Sequence, residues 1–341
     1  MQKKPVAVGI LIFILLAVIA AETAVILSQQ RVDHQIEVQS KKALGRFLKE
    51  GLPSTKEGGT VVLLKNVRFC WSPNICVNTD NLSANVIPLD DQFPVFDDLK
   101  SFIVNVHNAD VMISPKTLEG MFNESVFNYP GSNLRNLTVG IDQNHVTLKG
   151  SLKYLLWIPF EMDTDLHVDQ KTNTLTITVQ TLHIFGFIPA TGLLHIKPFE
   201  LEKLLTLPEN RYLTVHQNEI MVKPFGLFPP PRISGEMSDI VVTSKMLLLR
   251  FKGNPIEFSG IPMAGAKNYI YVSGGTAQFG PIRMLSTRIQ VIDKNPGDLF
   301  RFSLLNYWHY VPLSQIKIQP DGAVILTMPD HEISEKANES Q

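Results

Sequence analysis

Twenty-two prolines and twenty-one glycines interrupt this 341-residue chain. Punctuation that frequent suits many short strands better than long helices. The runs between interruptions agree with that. From Thr174 to Thr181 apolar and polar residues alternate strictly. Leu175, Ile177 and Val179 fall on one side; Thr174, Thr176, Thr178 and Gln180 fall on the other. This is the pattern of a strand with one dry and one wet face. TVVLLKNVRF, SFIVNVHNADVMI, SLKYLLWIPFEM, DIVVTS and KMLLLRFKG are further strand candidates. IKIQPDGAVILTM reads as a hairpin turning at Pro-Asp-Gly.

Helical signals are few and short. Ser114-Pro115 offers a cap followed by proline in the first turn, and Leu118, Met121, Phe122 and Val126 recur behind it at helical spacing. Asn128 and Gly131 end that helix. A second is expected over 198–205, PFELEKLL. After each helix the text rhymes: LTVGIDQNHVTLK at 137–149 and LTVHQNEIMVK at 213–223. A helix-plus-hairpin unit used twice explains the rhyme; chance similarity among strands is the alternative. The expected fold class is α+β: a curved, mostly antiparallel sheet wrapping one or two short helices.

The N-terminus is built differently. Lys3 and Lys4 precede an apolar run over residues 6–27. As a helix it would span about 33 Å against roughly 30 Å of hydrocarbon. A cleaved signal peptide is the alternative, but the run exceeds the usual h-region of about 7–15 residues. The lysines predict an N-in, single-pass orientation, with the bulk of the chain outside the cytoplasm. The divisions expected are an anchor at 1–28, a helical stalk at 29–59, an α+β domain at 60–255, a β-rich unit at 256–329 and a polar tail at 330–341. Cys70 and Cys76 bracket the turn CWSPNIC; outside the cytoplasm a disulfide is the expectation, ahead of a redox or metal pair.

Signals for chemistry are sparse. The net charge of −1 gives no field to recruit nucleic acid. No nucleophile elbow, phosphate loop, dinucleotide fingerprint or zinc-protease motif occurs. DTDLHVD at 163–169 places Asp163, Asp165, His167 and Asp169 on one strand face, but no calcium-loop glycine or closing glutamate follows. A solvated face is the better reading, so no catalytic residue, metal or cofactor is assigned. Sequons stand at Asn81, Asn123, Asn136 and Asn338.

What is distinctive is apolar: long strands, and loops such as FGFIPATG and FGLFPPPRISG. The order of VMISPKTLEGMF, LTVGIDQNHVTLKGSLKYLLWIPFEMDTDLHVD, TLTITVQTLHIFGFIPATGLL and LTVHQNEIMVK resembles the LmeA-like family of bacterial envelope proteins. Those have a TULIP-like lipid-binding fold. GGTAQFGPIRMLSTRIQVID is similar to AsmA-type envelope proteins, which also handle phospholipid. The resemblance implies a membrane-anchored periplasmic protein of the inner membrane that binds or passes on phospholipid without catalysis, alongside envelope protein partners. It places the lipid in an elongated trough, with Leu118, Met121 and Phe122 opposing Leu175, Ile177, Val179 and Leu182. Phe185, Phe187, Phe225 and Phe228 would stand at its mouth. Two other readings remain: a scaffold whose core is filled by its own side chains, and an esterase with a dispersed triad.

Overall fold

The computed structural model describes residues 59–329, apart from 91–92, 143–144, 170, 196–200, 206–211, 255 and 257, together with Gln35, Val38, Gln39 and Lys42. The expected anchor at 6–27, nearly all of the stalk and the tail from Asp330 lie outside the described residues. Among those described, no helix is long and apolar enough to cross a membrane.

The fold is mostly β, in two curved sheets with short helices. β1 (Thr60–Cys70), β2 (Cys76–Pro88) and β3 (Phe102–Ile113) form an antiparallel meander. Cys70 and Cys76 face each other at the end of the first hairpin and are joined by a disulfide. Helix α1 (Pro115–Gly120) follows and runs on through a π-helical turn, Met121–Val126. Its start is the one expected: Ser114 Oγ accepts from Thr117 N at 3.2 Å, with Pro115 in the first turn.

The chain then builds a smaller sheet. Its strands are β4 (Leu134–Asp142), β5 (His145–Lys153), β6 (Trp157–Asp169), β7 (Thr174–Ile184), β8 (Ile188–Pro189), β9 (Leu213–His216) and β10 (Glu219–Val222). They lie in the order β4-β5-β6-β7-β10-β9, with β8 beside β7 and every pairing antiparallel. The two rhyming segments are the hairpins β4–β5 and β9–β10, at opposite edges of this sheet. Each follows a short helix, α1 in the first case and Leu201–Leu204 in the second.

From Arg232 the chain returns to the first sheet. β11 (Arg232–Gly235) runs parallel to β3; β12 (Met237–Val242) and β13 (Leu247–Lys252) extend that edge. β14 (Tyr269–Ser273) pairs with the free side of β1. A separate ribbon, β15 (Ala277–Phe279) and β16 (Ile282–Met284), precedes β17 (Arg288–Asp293), β18 (Phe300–Ser303), β19 (Gln315–Ile318) and β20 (Val324–Met328). The large sheet thus runs β12-β13-β3-β2-β1-β14-β17-β20-β19. Strands from both sides of the division expected at 255/256 share this sheet. β1 is hydrogen-bonded to β2 on one side and β14 on the other, so the C-terminal strands continue the first sheet.

Helix α1 joins the two sheets. Toward the small one, Glu119 Oε1 accepts from Val139 N at 2.9 Å, and the Asn123 amide brackets Leu137 through its N–H and carbonyl at 2.9 and 2.7 Å. Toward the large one, Thr117 Oγ1 donates to the Cys76 carbonyl, and the Glu124 carboxylate accepts from Ser72 Oγ and Asn74 Nδ2, all at 2.6 Å. A segment carrying Phe258, Ile261 and Ala266 packs on Tyr269, Tyr271, Ile292 and Ile325, covering the outer face of the large sheet.

Candidate functional site

The inner face of the large sheet carries the candidate site. Strand residues alternate between faces, so each strand contributes every second side chain: Val62 and Leu64 from β1, Val104 and Val106 from β3, Ile270 and Val272 from β14, Ile289 and Val291 from β17, Leu326 and Met328 from β20. They line a cavity of about 580 Å³. Its lining extends from β13 to β19, eight neighbouring strands. Seven spacings of about 4.8 Å make a groove on the order of 34 Å long, measured across the strands.

Three segments roof it. Phe96 stacks on Phe279 of the β15–β16 ribbon, with ring centroids 4.5 Å apart. Tyr307, from the short helix Tyr307–Tyr310, stacks on Phe302. Phe228 lies against Trp71, just past β1. Polar side chains are rare in the lining, and among the described residues Asp97 is its only carboxylate. Asp97 is already engaged: Oδ1 accepts from the Tyr307 hydroxyl at 2.9 Å and Oδ2 from Gly280 N. Burial, then the bond to Asp97, pushes the Tyr307 pKa up, so the phenol remains a donor. One carboxylate therefore ties its own segment, the β15–β16 ribbon and the helix at 307–310 together near the rim.

The groove opens where its lining becomes exposed. Ile282, Trp308, Ile316 and Ile318 all border the cavity, yet each remains more than half exposed, Ile318 at 71 %. The mouth thus lies between the β15–β16 ribbon, the helix at 307–310 and the edge strand β19.

The expected trough residues are distributed otherwise. Phe225 and Phe228 do border the groove. Leu118, Met121, Leu175 and Val179 are buried, and Phe122, Ile177 and Leu182 pack against the same continuous core; none of these seven borders the groove. Nor do the two expected faces meet across a cavity. α1 lies over β4, at the far edge of the small sheet from β7, and the turn Thr191–His195 packs on β7. Phe185 and Phe187 are exposed at the turn after β7, and neither borders the groove.

The acidic face of β6 is occupied by structural bonds. Asp163 accepts from the Thr147 and Thr181 hydroxyls at 2.9 Å each. Asp165 meets His145 at 2.7 Å, and Asp169 accepts from Lys171 N and the Thr172 hydroxyl in the following turn. Among the described residues no three His, Cys, Asp or Glu side chains stand together as a metal site.

Compared with protein-family models, with curated proteins and with solved structures, the chain matches none of them.

Proposed function

We propose that this chain binds a phospholipid, or another lipid with an acyl chain, along the groove of its large sheet and carries it without chemical change. The observation behind this reading is the groove itself: a long apolar cavity with exposed apolar side chains at one end. Its volume falls within the roughly 300–1,000 Å³ of small-molecule sites. Apolar burial is non-directional, so such a surface accepts hydrocarbon without demanding one geometry. One leaflet's hydrocarbon is about 15 Å deep, half of the roughly 30 Å core, so the groove has length to spare for one chain. The one carboxylate lining the groove among the described residues already accepts from Tyr307 and Gly280 at the rim, so the headgroup stays at the mouth, in water. The apolar run at 6–27 and the disulfide suit a protein anchored in a bacterial inner membrane and facing the periplasm, as does the likeness to LmeA-like proteins.

Photocrosslinking tests this. The full chain in mild detergent is incubated with phosphatidylethanolamine carrying a diazirine on one acyl chain, illuminated and mapped by peptide mass spectrometry. Adducts are expected on inner-face residues of β1, β3, β14 and β17. Adducts confined to residues 6–27, or to the small-sheet face of Leu175 and Ile177, would rule the groove out.

A further inference from the structure

The small sheet ends in a second apolar surface, remote in sequence from the mouth. The β5–β6 turn exposes Leu155 at 87 % and Leu156 at 76 %; the β7–β8 turn exposes Phe187 at 75 %. The two turns are neighbours at one end of the sheet, because Phe185 N donates to the Pro159 carbonyl at 2.9 Å. Just behind the tips lies Trp157, with the Arg135 guanidinium 3.8 Å from its ring centroid and the Lys153 ammonium at 6.0 Å. The next charges inward, Lys149 and Glu161, neutralise each other at 3.0 Å.

We infer that these two turns form a docking tip for the surface of a phospholipid bilayer containing anionic lipid. The layering carries the inference. Aliphatic and phenyl side chains lead, an indole stands behind them, and two cations flank the indole. A bilayer presents the same order from inside outward: hydrocarbon, interface, phosphate. Protein partners fit less well. A protein partner would need a preformed pocket matching Leu155, Leu156 and Phe187 and acceptors for both cations, whereas a fluid anionic bilayer supplies hydrocarbon and phosphate to any convex tip. The inference does not depend on what the groove holds.

The test uses the full chain with Leu155→Cys, labelled with an environment-sensitive fluorophore; Cys70 and Cys76 are disulfide-bonded and stay unlabelled. The protein is reconstituted in phosphatidylcholine–phosphatidylglycerol vesicles whose acyl chains carry a nitroxide quencher. Lys171→Cys, in the turn at the opposite end of the sheet, is the reference site. Quenching of most of the Leu155→Cys emission, with little at Lys171→Cys, is expected. The paired change Arg135→Gln, Lys153→Gln should weaken quenching while leaving the thermal melt in place. Equal quenching at the two sites would overturn the proposal. So would a label at 155 already shielded before vesicles are added, which would mean that a protein surface covers the tip.

Discussion

His107, on β3, shows how one side chain ties the large sheet to pH. Its Nε2 lies 2.7 Å from Asn85 Nδ2 and 3.4 Å from Asn105 Nδ2, so it accepts only while unprotonated. Burial lowers its pKa, partly offset by a backbone hydrogen bond with Asn254. A folded-state pKa below the unfolded value leaves the stabilisation intact above the unfolded value; it is lost as pH falls through that value toward the folded one. The melting temperature should therefore drop between about pH 7.5 and about pH 5.5, spanning the ordinary histidine value near 6.5. His107→Gln should flatten the dependence in a calorimetric series. Nothing in the sequence singled His107 out: nine scattered histidines offer no spacing, and its closer partner, Asn85, comes from another strand. Ser114 and the cysteine pair were legible because a cap and a tight cross-link are local. Gly120 was not, since its constraint is distant. A Cβ there would stand 2.6 Å from the Asn74 carbonyl oxygen. Gly120→Ala should cost about 1–3 kcal/mol in a urea melt, the scale of overpacking.

Among the elements, α1 and the disulfide turn work as one joint. Glu124 holds Ser72 and Asn74, and the disulfide closes the turn carrying both. Reduction should lower stability by about 2 kcal/mol, the chain-entropy scale for so short a loop. Glu124→Gln with the disulfide intact should lower it less, because this contact is exposed. Strand existence was widely legible from alternation; strand partnership was not. β1 and β14 are about two hundred residues apart, and pairing between them leaves no local mark. β17 was opaque for another reason. Ile289 and Val291 face the groove while Ile292 faces the outer covering segment, so the strand has no wet face to reveal its orientation. Most of the segments that resemble the LmeA-like pattern lie in the small sheet, whose dry-face residues Leu175 and Val179 are buried in the core. Val179→Trp should therefore destabilise, by the same roughly 1–3 kcal/mol of overpacking, without acting on a ligand.

At the scale of the whole molecule, two curved sheets share one joint but differ in how their faces are filled. The small sheet is packed by α1 over β4 and by the turn Thr191–His195 over β7. The large one is roofed by an aromatic cluster that leaves space beneath it. Its floor gives the central claim its simplest test. Val272 lines the groove and is almost fully buried, so Val272→Trp directs its added bulk into open space. The decisive measurement is native mass spectrometry of the full chain released from mild detergent, comparing the unmodified protein with Val272→Trp. Lipid carriage in the groove requires a bound lipid mass on the unmodified protein and its loss from a Val272→Trp variant whose thermal melt is retained. An unmodified protein without lipid, or a folded Val272→Trp protein with its full complement, would contradict it.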